Sequence, residues 1–150
     1  MQLKRIGHVL LKVTDVERSK EFYSNVLGLE VVEEDPEHGG VFMTLGEDGH
    51  TLDLSPVDDR ETAQRPSPNR IGVHHIAFQV DSYEALKDAY FTLQDLGVEV
   101  VRSIDHVSQK SIYFHDPDGN RLEIYHELPN ALEMFRQGRH DRDEALVFER

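Results

Sequence analysis

The amino-acid sequence contains an internal duplication. Residues 7–17 (GHVLLKVTDVE) align with residues 74–84 (HHIAFQVDSYE) at an offset of 67, which pairs His8 with His75. Two further blocks keep the same order at offsets of 69 and 70, namely 27–32 with 96–101 and 52–54 with 122–124. A match that keeps its order with only small insertions indicates a duplicated module, so we expect two similar structural units.

Each copy begins with a strand pattern that is followed by a helix pattern. Apolar residues alternate with other types over 9–13 and 76–80, as in a half-buried strand. Thr14 and Asp81 each precede a glutamate by three residues, and this capping-box spacing predicts a helix start at each. We expect both helices to end at a glycine with positive φ, at Gly28 and Gly97.

Three short strands are predicted after each helix. They are 29–35, 40–46 and 50–56 in the first copy, and 98–102, 109–115 and 121–127 in the second. The run DPDGN at 116–120 predicts a tight turn before the last strand. The expected order is module one at about 5–56, a linker at 57–71, module two at about 72–127 and a C-terminal helix at about 129–138. We expect the last dozen residues, which are mixed in charge, to be partly disordered.

The predicted fold is mixed α+β, a single domain over 1–150 in which two tandem βαβββ modules form a cupped mixed sheet. Each helix covers one face of its own sheet, so the two open faces can line a cavity. In this arrangement the chain resembles, over residues 5–127, the vicinal-oxygen-chelate superfamily. That group includes glyoxalase I, extradiol ring-cleaving dioxygenases, and the fosfomycin- and bleomycin-resistance proteins.

Composition restricts the classes of partner. The 150 residues include 16 basic and 29 acidic side chains, for a formal net charge of −13, which disfavours nucleic acid or an anionic membrane surface as a partner. The chain has no cysteine, which excludes thiol nucleophiles and cysteine-ligated metal sites. Nine histidines leave imidazole as an available metal ligand and acid–base group. No apolar run approaches the about 20 residues of a membrane span, and we expect a cytoplasmic protein.

Strand alternation places three side chains on the open faces. Leu122 and Ile124 are expected in the core, so Glu123 between them faces the cavity. The same alternation turns His8 and His75 away from the helices. Two imidazoles and one carboxylate form the ligand set that holds Fe(II) on one side and leaves positions open for substrate and dioxygen.

A longer segment resembles the signature of the extradiol dioxygenases. It runs from 104–106 (IDH) across five residues to 112–119 (IYFHDPDG), and reaches Glu123 after three more. The resemblance implies that Fe(II) is bound, with Mn(II) as the alternative ion, by His8, His75 and Glu123. It also implies that His106 is an acid–base residue and that Tyr113 donates a hydrogen bond to a ring oxygen of the bound catechol.

His50 resembles the extradiol histidine that lies near the dioxygen site. Its parity with Leu52 and Leu54 would turn it away from the cavity, so it reaches the site only if the strand begins after it or carries a bulge. The implied reaction opens the ring of a catechol-like diol with O2, as in aromatic degradation. The implied partners are therefore a small-molecule substrate and O2, with no nucleic acid or membrane, and the chain is expected to form a homo-oligomer.

Asp53 keeps a second function open. It is the repeat partner of Glu123, and in glyoxalase I-like members this position carries a fourth ligand, usually glutamate. If Asp53 coordinates the metal, the site loses an open position, and a glyoxalase-like isomerase, epimerase or lyase is favoured over oxygen activation. A resistance-type ligand-binding protein is the third alternative, although sequestering versions usually lack the ligand triad that this chain contains.

Overall fold

The structure is a computed structural model that describes residues 1–138 and 142–150. The chain divides into two compact units, Met1–Pro66 and Ser67–Arg150. Each unit has the order strand, helix and three strands, and the second unit adds a helix and a two-residue strand. The predicted mixed α+β class is therefore confirmed.

The first unit is a four-stranded sheet with one helix. Its elements are β1 (Val9–Val13), α1 (Val16–Leu27), β2 (Glu30–Asp35), β3 (Gly40–Thr44) and β4 (Leu52–Pro56). The strand order is β1-β4-β3-β2, and β1 is parallel to β4 while the other neighbours are antiparallel. α1 contacts β2, β3 and β4, and the buried apolar core includes Tyr23, Met43 and Leu54.

The second unit repeats this arrangement and extends it by one strand. Its elements are β5 (Ile76–Gln79), α2 (Tyr83–Asp95), β6 (Arg102–Asp105), β7 (Gln109–His115), β8 (Arg121–Glu127), α3 (Ala131–Gln137) and β9 (Glu144–Ala145). The strand order is β5-β8-β7-β6-β9, and β5 is parallel to β8. α2 contacts β7 and β8, and the core includes Leu86, Phe114 and Leu122.

Both long helices begin one residue later than the capping-box spacing predicts. The N-cap residues are Asp15 for α1 and Ser82 for α2, and each side chain accepts a hydrogen bond from the backbone N–H three residues on. The prediction of Thr14 and Asp81 is therefore wrong, because the oxygen that reaches the free amide belongs to the next residue. Among the described residues, no helix combines the length and the apolar character needed to cross a membrane.

The glycine end of α1 and most of the strands are confirmed. Gly28 is the C-cap of α1 with φ of 73°. The C-cap of α2 is Leu96, one residue earlier than predicted, and Gly97 follows it with the predicted positive φ, 74°. β7 and β8 coincide with the predicted 109–115 and 121–127. The strand predicted at 98–102 is displaced to β6, because the N–H of Val98 still donates to the carbonyl of Leu93 at the helix end, at 2.8 Å.

The C-terminal segment lies along the edge of the second sheet. Of the stretch predicted to be partly disordered, 139–141 lies outside the described residues. The remainder forms defined contacts: β9 pairs antiparallel with β6, and the Phe148 ring stacks on Tyr90 of α2 at 4.6 Å between centroids. The expectation of disorder is wrong for 142–150, because these residues cover a sheet edge and add aromatic contacts.

Candidate functional site

The open face of the second sheet carries Glu123. Its neighbours on β8, Leu122 and Ile124, are buried and α2 contacts β8, so alternation turns Glu123 to the opposite face. In the sheet register Glu123 lies between Ala77 of β5 and Tyr113 of β7. The residue is 2% exposed, and a carboxylate at this depth requires polar partners.

Three polar groups surround the Glu123 carboxylate. His75 Nε2 lies 3.0 Å from Oε2, while the Tyr113 hydroxyl donates to Oε1 at 3.1 Å. Gln109 Nε2 donates to the same oxygen at 3.3 Å. The two carboxylate oxygens therefore have different neighbours, an imidazole on one side and neutral donors on the other.

His75 and Glu123 have the spacing of two ligands on one metal ion. Ligand atoms held at about 2.1 Å and at right angles lie about 3 Å apart, and the observed separation is 3.0 Å. Imidazole and carboxylate together suit first-row divalent ions. The pair therefore fits a divalent metal, and the ring orientation is fixed further by His74, whose Nδ1 lies 2.8 Å from His75 Nδ1.

His106 and Tyr113 form a second pair that is joined to the first. His106 follows β6 directly, and its Nε2 lies 2.9 Å from the Tyr113 hydroxyl oxygen. Burial, and then the charge of Glu123, raise the pKa of Tyr113 to about 12, so the phenol keeps its proton at neutral pH. The Tyr113 hydroxyl thus connects an imidazole to a candidate metal ligand.

The first sheet carries Asp53 at the position that corresponds to Glu123. Asp53 lies between Leu10 of β1 and Phe42 of β3 and is 2% exposed. His50 Nδ1 lies 2.7 Å and 2.9 Å from its two carboxylate oxygens. An ionised carboxylate only accepts hydrogen bonds, so Asp53 receives the Nδ1 proton of His50 and orients that ring.

His8 completes a group of three with His50 and Asp53. The His8 and His50 rings stack at 4.2 Å between centroids, and His8 Nε2 lies 3.9 Å from Asp53 Oδ2. The three residues offer ligand atoms within 4.8 Å of one another. β4 begins at Leu52, after His50. A strand that begins after His50 is one of the two conditions, the other being a bulge, under which we expect His50 to reach the open face.

The predicted site residues therefore fall into two groups, one in each unit. The first unit holds His8 and His50, together with Asp53, and the second unit holds His75, His106, Tyr113 and Glu123. That His8 shares an ion with His75 and Glu123 stays a prediction.

Three polar neighbours of the second group carry no sequence prediction: Gln109, Arg121 and Asp143. The Arg121 guanidinium lies 4.6 Å from the centre of the Tyr113 ring, and Asp143 Oδ1 lies 2.6 Å from His106 Nδ1. Strand alternation contains a signal for the first two, since Gln109 shares the parity of Tyr113 on β7. No comparable signal marks Asp143, which comes from the C-terminal segment.

Both units have the order strand, helix and three strands, and each carries a buried carboxylate beside an imidazole on the open face of its sheet. The chain belongs to the Glyoxalase/Bleomycin resistance protein/Dioxygenase superfamily, whose family model matches residues 5–124. The resemblance inferred from the sequence over 5–127 is thereby confirmed.

Relatives within this superfamily differ in reaction. The chain is 35% identical over 121 residues to biphenyl-2,3-diol 1,2-dioxygenase 2 of Rhodococcus globerulus, covering 80% of this chain and 61% of that protein. The chain therefore spans about three fifths of that dioxygenase. It is 27% identical over 145 residues to the metallothiol transferase FosB of Staphylococcus epidermidis, covering 91% and 94% of the two chains.

Solved structures support the same fold. The fosfomycin resistance protein FosX of Listeria monocytogenes matches with a TM-score of 0.70 at 22% identity, covering 89% of this chain and 99% of that chain. At this level of identity the match establishes the architecture alone. The superfamily therefore contains dioxygenases and other metalloenzymes, and a metal cofactor is consistent with the group of His8, His50 and Asp53 in the first unit.

Proposed function

We propose that the chain is an Fe(II)-dependent extradiol dioxygenase that opens the ring of a catechol-like diol with O2. The observation that supports this most directly is the continuous series His75–Glu123–Tyr113–His106 in the second unit, with successive contacts of 3.0, 3.1 and 2.9 Å. It connects a candidate ligand pair to a candidate acid–base histidine through a single phenol. A simple ligand-binding module has no need of an acid–base group at this distance from the metal.

In the proposed site His8, His75 and Glu123 hold the ion, and Mn(II) can replace Fe(II) in this ligand set. The ion supplies binding positions for the diol and O2 and allows electrons to pass between them. The overall change adds both atoms of O2 to the ring and gives a muconic-semialdehyde-type product. No further reductant is needed, because the diol provides all the electrons.

Side chains of the second unit are proposed to transfer the protons that the reaction requires. A diol has to lose a proton to bind as an anion, and the ring-opening steps require a proton to be returned. His106 is the group proposed for both transfers, since its 14% exposed side chain is largely shielded from competing water. Tyr113 keeps its proton, because its pKa is about 12, and in the proposed complex this single proton turns from Glu123 Oε1 to a substrate oxygen.

His50 is proposed to stabilise the negative charge that develops on the O2-derived oxygen during the reaction. Its Nδ1 is fixed on Asp53 by contacts of 2.7 and 2.9 Å, which leaves Nε2 as the nitrogen that can interact with a ligand. When the ring carries a proton on both nitrogens, its Nε2–H donates a hydrogen bond that stabilises developing negative charge on oxygen.

A second candidate function is a glyoxalase-like isomerase, epimerase or lyase with Asp53 as the fourth ligand. The grouping of Asp53 with His8 and His50 within 4.8 Å favours it. Against it, both Asp53 oxygens already lie within 2.9 Å of His50 Nδ1. We therefore favour the dioxygenase, in which Asp53 positions a histidine.

The test is metal analysis combined with an anaerobic diol titration. The purified protein is analysed for Fe, Mn, Zn and Ni, reconstituted with Fe(II) without oxygen, and mixed with 2,3-dihydroxybiphenyl and simple catechols. Admitting air should then produce the yellow ring-opened product. The matched control is Glu123→Gln, which keeps the size of the side chain but removes the anionic ligand.

Two outcomes decide between the candidates. Iron or manganese in the protein and yellow product from the wild type, but not from Glu123→Gln, support the dioxygenase. Nickel or zinc in the protein, and no product from any diol of the panel, reject it and favour isomerase or lyase chemistry.

A further inference from the structure

The C-terminal segment reaches the candidate acid–base histidine. Asp143 Oδ1 lies 2.6 Å from His106 Nδ1, and the opposite nitrogen, Nε2, lies 2.9 Å from the Tyr113 hydroxyl oxygen. His106 is therefore held at both ring nitrogens. The family match ends at residue 124, so the residue that holds Nδ1 lies outside the part of the chain that defines the superfamily.

The identity of the two partners determines where the His106 protons lie. A carboxylate only accepts, so Nδ1 carries a proton and donates it to Asp143. In one state Nε2 carries a proton and donates a hydrogen bond to the Tyr113 oxygen, while Tyr113 donates to Glu123 at 3.1 Å. In the other state Nε2 carries no proton and accepts a hydrogen bond from the Tyr113 hydroxyl. These two states differ by one proton on Nε2, and an acid–base residue has to alternate between such states.

The segment that carries Asp143 is fastened to the second unit by the residues that follow Asp143. β9 pairs with β6, where Glu144 faces Asp105, and the N–H of Leu146 donates to the carbonyl of Ser103 at 3.1 Å. Further on, Phe148 stacks on Tyr90. The backbone around Asp143 is thereby held against β6, the strand that His106 follows.

The chain also turns sharply at His106 itself. Val107 has φ of 71°, and among the described residues it is the one non-glycine with positive φ. The N–H of Ser108 donates to the carbonyl of His106 at 2.8 Å, which closes a tight three-residue turn. A β-branched residue rarely adopts this backbone conformation, so the contacts around it have to hold the turn in place.

We propose that Asp143 is a positioning residue for His106: it fixes the proton on Nδ1 and directs Nε2 toward Tyr113 and the substrate. The proposal rests on the proposed dioxygenase function, since it assigns His106 its working nitrogen. The proposed role of His106 therefore also requires the C-terminal segment to be docked, and that segment lies outside the residues that match the family model.

The test compares Asp143→Asn with Glu144→Gln. Each variant removes one negative charge from neighbouring residues of the same segment at nearly constant volume, but only Asp143 contacts His106. The tautomeric state of His106 is measured from side-chain ¹⁵N and ¹³C NMR of the metal-free protein at pH 8.5, with the His106→Gln spectrum used for assignment. Ring-opening kinetics are measured on the Fe(II)-loaded proteins.

We expect the wild type and Glu144→Gln to keep the proton on His106 Nδ1. Asp143→Asn should populate the Nε2–H form, because its side-chain NH2 can donate to Nδ1 as a carboxylate cannot. The kcat of Asp143→Asn should fall by about 10–100-fold, the usual effect of losing a group that orients an active imidazole, with KM changed by less than about threefold. Glu144→Gln should match the wild type.

Two results would overturn the proposal: an unchanged His106 tautomer in Asp143→Asn, or an unchanged kcat in that variant of an active enzyme. If the wild type opens no diol, the proposed function fails separately. The positioning of His106 by Asp143 is then decided by the NMR measurement alone, because that measurement needs neither metal nor substrate.

Discussion

The two modules place a carboxylate at the same point of the fold and surround it differently. Both oxygens of Asp53 lie within 2.9 Å of a single nitrogen, His50 Nδ1. Glu123 instead has one oxygen beside His75 Nε2 at 3.0 Å and the other beside the Tyr113 hydroxyl. Duplication thus fixes where the carboxylate lies, while the neighbouring side chains determine whether one imidazole contacts both of its oxygens or an imidazole and a phenol contact one oxygen each.

The histidines that precede β1 and β5 differ in the same sense. His8 Nε2 is 3.9 Å from Asp53, whereas His75 Nε2 is 3.0 Å from Glu123. Aspartate is one methylene shorter than glutamate, so it extends less far from its strand toward the imidazole. The imidazole–carboxylate distance of the second unit is therefore that expected for two ligands on one ion, and the corresponding distance in the first unit is longer.

The largest effect is expected from exchanging each carboxylate for its amide. Glu123→Gln should lose the bound divalent metal and lower ring opening by more than about 100-fold, because an amide is a poor ligand for the ion. Asp53→Asn should keep the metal and lower activity by about 10–100-fold, as is usual for a group that only orients another. Metal content after Fe(II) or Mn(II) loading and the rate of yellow product formation measure the two effects.

The proposed difference between the two carboxylates is contradicted if Glu123→Gln and Asp53→Asn lose metal and activity to the same extent. Loss of metal from Asp53→Asn as complete as from Glu123→Gln would make Asp53 a ligand. The four-ligand isomerase or lyase would then replace the dioxygenase as the favoured function.

A smaller effect is expected from removing the partner of each carboxylate. His50→Ala leaves the buried Asp53 without its two short contacts and should lower the free energy of unfolding by about 1–3 kcal/mol. Tyr113→Phe leaves Glu123 its contacts with His75 and Gln109 and should cost about 0.5–1.5 kcal/mol. Urea unfolding of the metal-free variants gives both values, and the reverse order would contradict the division of roles.

The helix caps should show the two modules behaving equally. Asp15→Ala and Ser82→Ala each remove a side chain that accepts from the first turn of its helix and should each cost about 1 kcal/mol. Asp81→Ala is the matched control, because the spacing rule selects Asp81 as the cap and the structure selects its neighbour. A loss from Asp81→Ala as large as that from Ser82→Ala would show that the cap is misassigned.

The sequence predicts what is local or duplicated. β7 and β8 agree with their predicted ranges because alternation and the DPDGN turn both depend on residues that are close together in the chain. The cap positions are off by one, because spacing alone does not show which of two adjacent oxygen side chains faces the free amides. The strand predicted at 98–102 is displaced because its valines favour a strand, while the end of α2 holds Val98.

Contacts between distant parts of the chain are what the sequence does not show. β9 has two residues and pairs with β6 across about 40 positions, so no local sequence pattern predicts this strand pairing. Asp143 consequently has no sequence signal although it contacts His106. The pairing of His50 with Asp53 depends on β4 beginning at Leu52, a strand boundary that alternation places two residues too early.

The last effect concerns alkaline pH and the buried hydroxyl of Tyr113 in the second unit. Burial, and then Glu123, raise the pKa of Tyr113 to about 12, from about 10 in an unfolded chain. Because the folded state holds the proton more tightly, this stabilisation is complete below pH 10 and is lost as the pH rises toward 12.

The free energy of unfolding of the wild type should therefore fall between pH 10 and 12 more steeply than that of Tyr113→Phe. By pH 11 the difference attributable to this group should be no more than about 1.4 kcal/mol. Urea unfolding of the two metal-free proteins at pH 9, 10 and 11 measures it. Parallel pH profiles would mean that Tyr113 ionises as readily as an exposed phenol, and the argument that it remains a donor beside Glu123 would lose its basis.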